Sequence, residues 1–510
     1  MTSINPSEWT RLLGTSGSDQ GYDLTTGSDG SIYVTGYTTR DLDEQTNNGN
    51  QDAFISKYNP DGTKEWTRLL GSAENDEGNA LITGSDGSIY IAGFTKGDLD
   101  GQVNSGGIYG AGGDAFLSKY NPDGTKDWTK LLGSSSVDVA NSLTTGNDGS
   151  IYIAGYTSGD LDGQTNNGGR DAFITKFNTD GTKEWTRLLG SAENEKGNAL
   201  TTGNDGSIYI TGGTYGDLDG QTNHGSQNPF INKYNPGSQD AFISKYNPDG
   251  IKEWTKLLGT DDDDEGNALT TGSDGSIYIS GYTYGDLDDQ ANSGGYYDAF
   301  VSKFNPDGSK EWTKLLGNSG SDEGNALTTG SDGSIHVAGN TNGDLDGQTN
   351  NGSRDAFISK YNPDGTKEWT RLLGSSLDET GMALTTGNDG SIYITGGTYG
   401  DLDGQTNSND RKDISVSYDV FISKISNLFP PTGIQLSTST FNENINENSF
   451  IATLKTIDGD TTDTHTFSLV SGEGDTDNAS FTIDGNYLKI NSSPDYEAKS
   501  SYSVRIKTID

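Results

Sequence analysis

Short runs of alternating apolar and polar residues, separated by Asp-Gly turns, cover most of the chain. The segment TTGNDGSIYITG at residues 201–212 recurs letter for letter at 385–396. Close variants of this segment begin at Thr25, Ile82, Thr144, Thr270 and Thr328. Because Asn and Gly tolerate the positive φ of tight hairpin turns, the pattern predicts antiparallel strands at 200–203 and 207–214, joined at 204–206.

A second hairpin follows each copy of the first. Residues 355–361, DAFISKY, and 367–373, KEWTRLL, are predicted strands on either side of the Asn-Pro-Asp-Gly turn at 362–365. One repeat therefore contains four short strands, which we name A, B, C and D in chain order.

Each repeat has one tryptophan at the same position of its D strand, so the tryptophans give the number of repeats. They are Trp9, Trp66, Trp128, Trp185, Trp254, Trp312 and Trp369, at spacings of 57 to 69 residues. Four strands per repeat at such a period are typical of β-propeller blades, which bury their faces only by stacking on neighbours.

The two ends of the array indicate how it closes. A lone D strand at 8–13 precedes the first A strand, and the last C strand, at 419–424, has no D strand after it. We therefore predict an all-β, seven-bladed propeller over residues 1–427, closed by pairing of the N-terminal strand with the last C strand. Closure removes the exposed edges of an open array.

The repeat also resembles a known family. The segments DAFISKYNPDGTKEWTRLLG at 52–71 and GNALTTGSDGSIYISGYT at 266–283 resemble the bacterial beta-propeller repeat family known as SBBP. The resemblance covers residues 1 to about 427 and implies the propeller fold. It implies no activity, because a fold does not fix a function.

One repeat contains a tandem duplication. The segment at 228–239, NPFINKYNPGSQ, lies beside a second copy at 240–251, DAFISKYNPDGI. The second copy alone keeps the Asn-Pro-Asp-Gly turn before a D strand. We predict that it forms strand C and that the first copy protrudes as a longer B–C loop.

Charge and composition restrict the partners and the compartment. The chain has 33 Lys and Arg against 74 Asp and Glu, for a net charge of −41. This charge disfavours nucleic acids and anionic membranes as partners and favours cations or cationic surfaces. There is no cysteine, no apolar run of about 20 residues that would span a membrane, and no N-terminal signal peptide pattern. We expect a secreted or cell-surface protein that uses another export signal.

The long loops are acidic. In a four-stranded meander the A–B and C–D turns lie on one side, and the B–C and D–A loops lie on the other. Asp-x-Asp-Gly sequences recur in the B–C loops, for example at 160–163 and 401–404. Such loops supply oxygen ligands for calcium, but Asp, Asn and Gly also cap their own turns. Turn capping is the favoured interpretation here.

Catalytic motifs are not evident. The three histidines, His224, His336 and His465, do not repeat, and no single carboxylate pair stands out from the many acids as an acid–base couple. No blade shows a distinctive set of His, Tyr or paired acids that would converge on the propeller axis. We therefore predict that the protein is not an enzyme.

The C-terminal segment differs from the repeats. A Pro-rich linker at 428–432 precedes residues 433–510, which resemble a cadherin-like, Ig-like β-sandwich in the pieces at 443–444, 456–460, 495–497 and 502–510. The resemblance implies calcium ligation by Glu443, Asp495 and Glu497 at one end and by Asp458, Asp460 and Asp510 at the other. It also implies that the last strand of the family is missing, which would leave 502–510 as an edge.

These observations lead to one functional hypothesis and two alternatives. The hypothesis is non-enzymatic, calcium-linked adhesion or binding of a glycan or protein ligand at the cell surface, which includes homophilic adhesion. The first alternative is a propeller hydrolase or lyase that acts on glycans at the acidic loop side. The second is a structural spacer.

Overall fold

The computed structural model describes residues 7–106, 112–224, 238–408, 417–425, 433–457, 465–472 and 474–509. The chain divides into two compact units, Met1–Ile425 and Ser426–Asp510. The regular structure of the described residues is β-strand, apart from one short 3₁₀ turn, Asn478–Ser480. None of their helical segments has the length and apolar character needed to cross a bilayer.

The described strands of the first unit form seven four-stranded antiparallel sheets. The A strands are β2 (Asp19–Thr26), β6 (Asp76–Thr83), β10 (Asp138–Thr145), β14 (Glu195–Thr202), β18 (Asp264–Thr271), β22 (Asp322–Thr329) and β26 (Glu379–Thr386). The B strands are β3 (Ile32–Thr38), β7 (Ile89–Thr95), β11 (Ile151–Thr157), β15 (Ile208–Thr214), β19 (Ile277–Thr283), β23 (Ile335–Thr341) and β27 (Ile392–Thr398).

The outer two strands of each sheet come from the second hairpin. The C strands are β4 (Asp52–Tyr58), β8 (Asp114–Tyr120), β12 (Asp171–Phe177), β16 (Asp240–Tyr246), β20 (Asp298–Phe304), β24 (Asp355–Tyr361) and β28 (Asp419–Ile425). The D strands are β1 (Ser7–Leu13), β5 (Lys64–Leu70), β9 (Lys126–Leu132), β13 (Lys183–Leu189), β17 (Lys252–Leu258), β21 (Lys310–Leu316) and β25 (Lys367–Leu373).

We number the sheets by their A strands, so that sheet one contains β2 to β5 and sheet six contains β22 to β25. Sheet seven has the order β1-β28-β27-β26, and Leu13 pairs with Val420. The predicted pairing of the N-terminal strand with the last C strand is therefore confirmed. The second copy of the duplication forms β16, as predicted. Nearly all of the first copy lies outside the described residues.

The A strands are longer than the sequence pattern predicted. The predicted strand at 200–203 is the second half of β14, which begins at Glu195 and contains a bulge between Gly197 and Ala199. The missed half is polar because its side chains make hydrogen bonds, within the sheet and to the next one, rather than packing on an apolar core. Asn198, for example, donates its Nδ2 to the carbonyl of Gly266 at 3.1 Å.

Aromatic residues and turn glycines pack the sheets against each other. The ring of Trp66 in a D strand lies 6.1 Å from that of Tyr33 in the B strand of the same sheet. Gly124, in the C–D turn of the next sheet, packs on Trp66, and a Cβ there would lie 3.0 Å from the indole. Gly124 also has φ +79°, so this turn needs glycine for both its conformation and its close contact.

Hydrogen bonds also link the A strands of neighbouring sheets. The Thr83 hydroxyl of sheet two donates to the Thr26 carbonyl of sheet one at 3.0 Å. The Thr26 hydroxyl in turn donates to the Thr386 carbonyl of sheet seven at 3.3 Å. Sheets one and seven are therefore neighbours in the same way as sheets one and two.

The second unit is smaller and has a thinner core. Its four-stranded sheet contains β29 (Gly433–Leu436), β30 (Phe450–Ile457), β33 (Tyr487–Ile490) and β32 (Phe481–Asp484), and β31 (Thr466–Leu469) pairs with β34 (Ile506–Ile509). The predicted strand at 502–510 is thus shorter than expected, because Tyr502 and Val504 pack on the core around Phe481 before the ladder begins.

Candidate ligand-binding surface and acidic clusters

The B–C and D–A loops of the first unit meet at the same ends of the sheets. The Asp76 N–H donates to the Gln51 carbonyl at 2.9 Å, which joins the B–C loop of sheet one to the D–A loop that follows it. Equivalent bonds join Asp138 to Gly113 and Glu195 to Arg170, each at 2.8 Å. We name this side of the first unit the loop side.

The Asp-x-Asp-Gly loops use their carboxylates to hold their own structure. In the loop at 160–163, Asp160 Oδ1 accepts the Asn166 N–H at 3.0 Å. Asp162, at φ +52°, bonds to the Lys183 ammonium and the Thr186 hydroxyl of the D strand. Turn capping thus accounts for Asp160, in agreement with the favoured interpretation, whereas Asp162 joins the loop to the D strand.

Four positions of the repeat on the loop side vary from sheet to sheet. The second residue of the A strand is Gln20, Glu77, Val139, Lys196, Glu265, Glu323 and Thr380 in turn. The residue before the C strand is Gln51, Gly113, Arg170, Gln239, Tyr297, Arg354 and Tyr418. The sixth and eighth positions, counted from the start of the B strand, vary in the same way. The buried positions nearby scarcely change, so the sheets differ mainly at this end.

Sheet five brings three tyrosines together at these variable positions. The ring centroids of Tyr282 and Tyr284 both lie 5.1 Å from that of Tyr297, and they lie 5.9 Å from each other. Tyr284 is 40% exposed, and the neighbouring Tyr296 is 77% exposed. We name Tyr282, Tyr284 and Tyr297 the tyrosine cluster.

Two carboxylates border the tyrosine cluster. The Tyr282 hydroxyl donates to Glu265 Oε2 at 2.8 Å, and Asn198 Nδ2 donates to Glu265 Oε1 at 2.7 Å. Glu323 in sheet six accepts a bond from Asn267 Nδ2 at 3.2 Å. Burial, and then the charge of Glu265, raise the pKa of Glu323. The charge of Glu265 therefore acts on Glu323 across neighbouring sheets.

The aromatic surface continues into sheet seven. The rings of Tyr399 and Tyr418 stack with their centroids 3.7 Å apart. The pKa values of Glu323 and Tyr418 are both raised, and the charge of the Arg354 guanidinium opposes part of each rise, so it acts on both sides of this surface. In each of these groups the first cause of the shift is burial, which raises the pKa.

Sequence analysis missed the tyrosine cluster. Tyr282 and Tyr297 are separated by a long loop, and Glu323 belongs to the next repeat. A comparison of the repeats with each other, position by position, would have identified these residues as departures from the common pattern.

The contacts of two of the histidines indicate roles in the fold rather than in chemistry. His336 is 1% exposed and takes the place of the usual tyrosine against Trp369, with ring centroids 6.1 Å apart. Burial lowers its pKa to about 4. The His224 ring nitrogen Nδ1 lies 2.7 Å from Asp240 Oδ2 at a B–C loop.

The second unit brings together one of the two predicted sets of metal ligands. Carboxylate oxygens of Glu443, Asp495 and Glu497 lie within 4.8 Å of one another, and all three residues are exposed. We name them the exposed acidic cluster. Glu443 also lines a pocket of about 410 Å³ with Tyr496 and Lys499. The other predicted ligands, Asp458, Asp460 and Asp510, lie outside the described residues.

Comparison with known proteins identifies the repeats. The SBBP beta-propeller repeat matches residues 8–43, 127–162, 253–288 and 311–346. A beta-propeller domain of unknown function, DUF5122, matches residues 27–65. The regulatory protein FlaEY of Caulobacter vibrioides is 25% identical over 402 residues, which are 72% of this chain and 42% of that protein. The chain thus spans less than half the length of this curated relative.

Solved structures with similar folds include enzymes and non-enzymes. The WD40 domain of Pan2 from Neurospora crassa aligns with a TM-score of 0.44 at 8% identity, over 84% of this chain and 98% of that one. An inactive virginiamycin B lyase from Staphylococcus aureus, solved with quinupristin, aligns with a TM-score of 0.41 at 11% identity, over 81% and 99%. The chain contains SBBP repeats, and it is a β-propeller protein.

Proposed function

We propose that this protein is a non-enzymatic binding protein of the cell surface or the secreted space. Its first unit acts as a seven-bladed propeller that β1 closes. The Thr26–Thr386 hydrogen bond between sheets one and seven supports closure, as does the pairing of β1 with β28. The ring serves as a rigid support that presents a ligand-binding surface on its loop side.

The tyrosine cluster with Glu265 and Glu323 carries this proposal. Near-identical blades are sufficient to build a ring, yet sheet five has three tyrosines where the other sheets have mixed residues. Tyrosine offers a large, rigid contact area at a low cost in side-chain entropy. Carboxylates beside exposed rings accept hydrogen bonds from hydroxyl or cationic groups of a ligand.

We propose a glycan as the ligand. Sugar rings present an apolar face that stacks on tyrosine and hydroxyls that donate to carboxylates. The net charge of −41 disfavours anionic polymers for the same surface. A protein ligand with a cationic side chain is the alternative, because cations bind over aromatic faces.

Glycan-array binding of the full chain tests this proposal. The variant Tyr284→Thr with Tyr297→Gln introduces residues that the repeat already carries at Thr39 and Gln51. We expect it to fold and to bind at least about tenfold more weakly, which corresponds to about 1.4 kcal/mol. The matched control is Tyr37→Phe, which makes the position equal to that of Phe94 in sheet two and should bind like the unchanged chain.

The same experiment separates the alternatives. Unchanged binding in the double variant would contradict a ligand site at the tyrosine cluster. Cleavage of a bound glycan, lost in Glu323→Gln, would assign the protein to the hydrolases or lyases instead. The raised pKa of Glu323 beside Glu265 is the observation that favours this enzymatic alternative. A chain that binds no glycan or protein would be a spacer.

Calcium-linked adhesion by the second unit is a further part of the proposal. The short distances between the carboxylates of Glu443, Asp495 and Glu497 support calcium binding. Three carboxylates so close together repel each other, and a hard cation relieves that repulsion. Homophilic adhesion would then depend on calcium. Bead aggregation with the full chain, with and without calcium, measures this directly.

A further inference from the structure

Three consecutive sheets of the first unit carry a tyrosine, an arginine and a tyrosine at one equivalent position on the loop side. This position is the residue before the C strand, which is Tyr297 in sheet five, Arg354 in sheet six and Tyr418 in sheet seven. In every sheet its carbonyl accepts the N–H of the first residue of the next A strand. For these three residues the donors are Asp322, Glu379 and Asp19, at 2.8, 2.8 and 2.7 Å. The main chain thus holds the three residues at matching places in successive sheets, and we name them the loop-side row.

Both tyrosines of the loop-side row belong to aromatic groups. Tyr297 is part of the tyrosine cluster, and Tyr418 stacks on Tyr399 with ring centroids 3.7 Å apart. Sheet seven makes room for Tyr418 with Gly397, where sheet five has Tyr282, since a Cβ at Gly397 would lie 2.7 Å from Cδ1 of Tyr418. Tyr297, Tyr399 and Tyr418 are all partly exposed. The two ends of the row therefore offer ring surface to a ligand.

Arg354, at the centre of the row, has unused hydrogen-bond donors. It is partly exposed, and its guanidinium makes no hydrogen bond, ion pair or ring contact within the part of the chain that the structure describes. The D-strand arginine Arg11, in contrast, donates its Nε to the Gly62 carbonyl of the next sheet at 2.9 Å. Arg354 therefore does not have the sheet-joining role of Arg11.

The equivalent arginine of sheet three has different surroundings. The guanidinium of Arg170 lies over the ring of Tyr156, 4.7 Å from its centroid, and Tyr156 is the sixth residue of its B strand. Sheet six has Asn340 at this sixth position, and Asn340 Oδ1 accepts the Gly381 N–H of sheet seven at 2.8 Å. Sheet six thus offers Arg354 no ring at this position, and Arg170 serves as its internal control.

Groups of both neighbouring sheets lie within electrostatic reach of the loop-side row. Burial raises the pKa of Glu323 and of Tyr418, and the charge of Arg354 opposes part of each rise. Burial and, with it, the charge of Glu323 raise the pKa of Tyr284 in the tyrosine cluster. One surface therefore leads from the tyrosine cluster past Arg354 to Tyr418.

We propose that the loop-side row recognises an oligosaccharide in which a sugar with a carboxylate, such as a uronic acid, stands between two neutral sugars. The proposal rests on the glycan binding proposed above and specifies the class of glycan. The neutral sugars stack on the rings at the two ends. The carboxylate accepts two hydrogen bonds from the planar guanidinium of Arg354, because the fork of its donors matches a carboxylate. The net charge of −41 opposes a glycan with a carboxylate on every sugar, but it opposes a single carboxylate far less.

Paired oligosaccharides test this proposal on the full chain. Each acidic oligosaccharide is printed on an array beside its carboxyl-reduced form, in which a neutral sugar of the same stereochemistry replaces the uronic acid. One such probe is a trisaccharide with glucuronic acid between two N-acetylglucosamines, whose reduced form has a central glucose. We expect the acidic form of at least one pair to bind at least about tenfold more tightly than its reduced form. Arg354→Gln should lose this preference and bind the reduced form as before.

The matched control is Arg170→Gln. Both variants remove one positive charge, and both introduce the glutamine that the repeat already carries at Gln51 and Gln239, so both should fold. We expect Arg170→Gln to keep the preference. A second variant, Arg354→Lys, keeps the charge without the fork and should retain only part of the preference.

The outcomes separate this proposal from the proposed function. Equal binding of both forms by the unchanged chain, or an unchanged preference in Arg354→Gln, would overturn this proposal and leave glycan binding intact. An equal loss of preference in Arg170→Gln would reveal a general effect of net charge and would also overturn it. If neither form of any pair binds, the proposed glycan ligand fails as well.

Discussion

The carboxylates of the two units differ in their surroundings. In the first unit, acids such as Asp52 and Asp322 are completely buried at the starts of strands, and each accepts a backbone hydrogen bond from the loop that precedes it. In the second unit, Glu443, Asp495 and Glu497 are exposed and lie close together at the surface. The same residue types thus fix loops at the starts of strands in one unit and form a surface cluster in the other, so acidity alone indicates neither role.

The largest expected effect concerns the closure of the first unit. Deletion of residues 1–13 removes β1, which carries Trp9 and the buried Leu13, and leaves the edge of β28 without a partner. We expect a loss of more than about 5 kcal/mol in the free energy of unfolding, together with aggregation. Denaturation followed by tryptophan fluorescence, with size-exclusion chromatography, measures both. An equally stable and monomeric deletion would contradict the closure.

The next largest expected effect is the loss of stability when a phenylalanine is truncated in each unit. Phe357 is completely buried in sheet six, whereas Phe450 in β30 is 52% exposed. We expect Phe357→Ala to destabilise the first unit by about 3 to 5 kcal/mol and Phe450→Ala to destabilise the second by about 1 kcal/mol. Calorimetry resolves the transitions of the units. An equal loss of stability in the two variants would contradict the difference in burial between the two positions.

The two units should also respond to pH in opposite directions. Burial raises the pKa of Asp322 to about 6, so the stability that its neutral form gives is present at low pH and is lost as pH rises through 6. In the second unit, the hydrogen bond and charge of Lys499 lower the pKa of Asp477. Its contribution is therefore present at neutral pH and is lost as pH falls below the ordinary aspartate range.

Unfolding of the full chain in chelator between pH 8 and pH 5 tests this contrast. We expect Asp322 to add about 1 to 2 kcal/mol to the first unit over this range. Asp322→Asn should flatten this pH response of the first unit, and the same measurement extended below pH 4 should show that Asp477→Asn flattens the response of the second. A first unit that loses stability between pH 8 and pH 5 would contradict the assignment.

The smallest effect concerns the exposed acidic cluster. If it binds calcium, millimolar calcium should stabilise the second unit by about 1 kcal/mol, since exposed sites with few ligands bind weakly. Glu443→Gln with Glu497→Gln should abolish this gain and leave the transition of the first unit unchanged. Calorimetry that shows the same calcium shift in the variant would remove the cluster as the site.

The sequence predicted the repeating part of the fold well, because each hairpin is encoded locally. The bounds of β24 and β25 agree with the predicted strands, since their turn and their apolar pattern are both clear. The first half of β14 was missed, because Lys196 and Asn198 there do not show an apolar alternation. Analysis of the apolar pattern identifies residues that face an apolar core, and Lys196 and Asn198 do not face one.

The candidate site was less accessible to prediction. Glu443, Asp495 and Glu497 were grouped correctly only because a family resemblance placed them together. The tyrosine cluster depends on the long B–C loop of sheet five, which brings Tyr297 back beside Tyr282 and Tyr284. Within one repeat these residues look like ordinary turn and loop positions.

The pairing of β1 with β28 has a consequence for the order of folding. Sheets one to six are each built from a continuous stretch of chain, so each can form soon after it leaves the ribosome. Sheet seven joins segments about 400 residues apart in sequence. At a typical synthesis rate of roughly 5 to 20 residues per second, β1 waits on the order of 20 to 80 seconds for its partner. During that time its exposed Trp and Leu side chains need protection, so the strand of this array that is made first is the last of the array to fold.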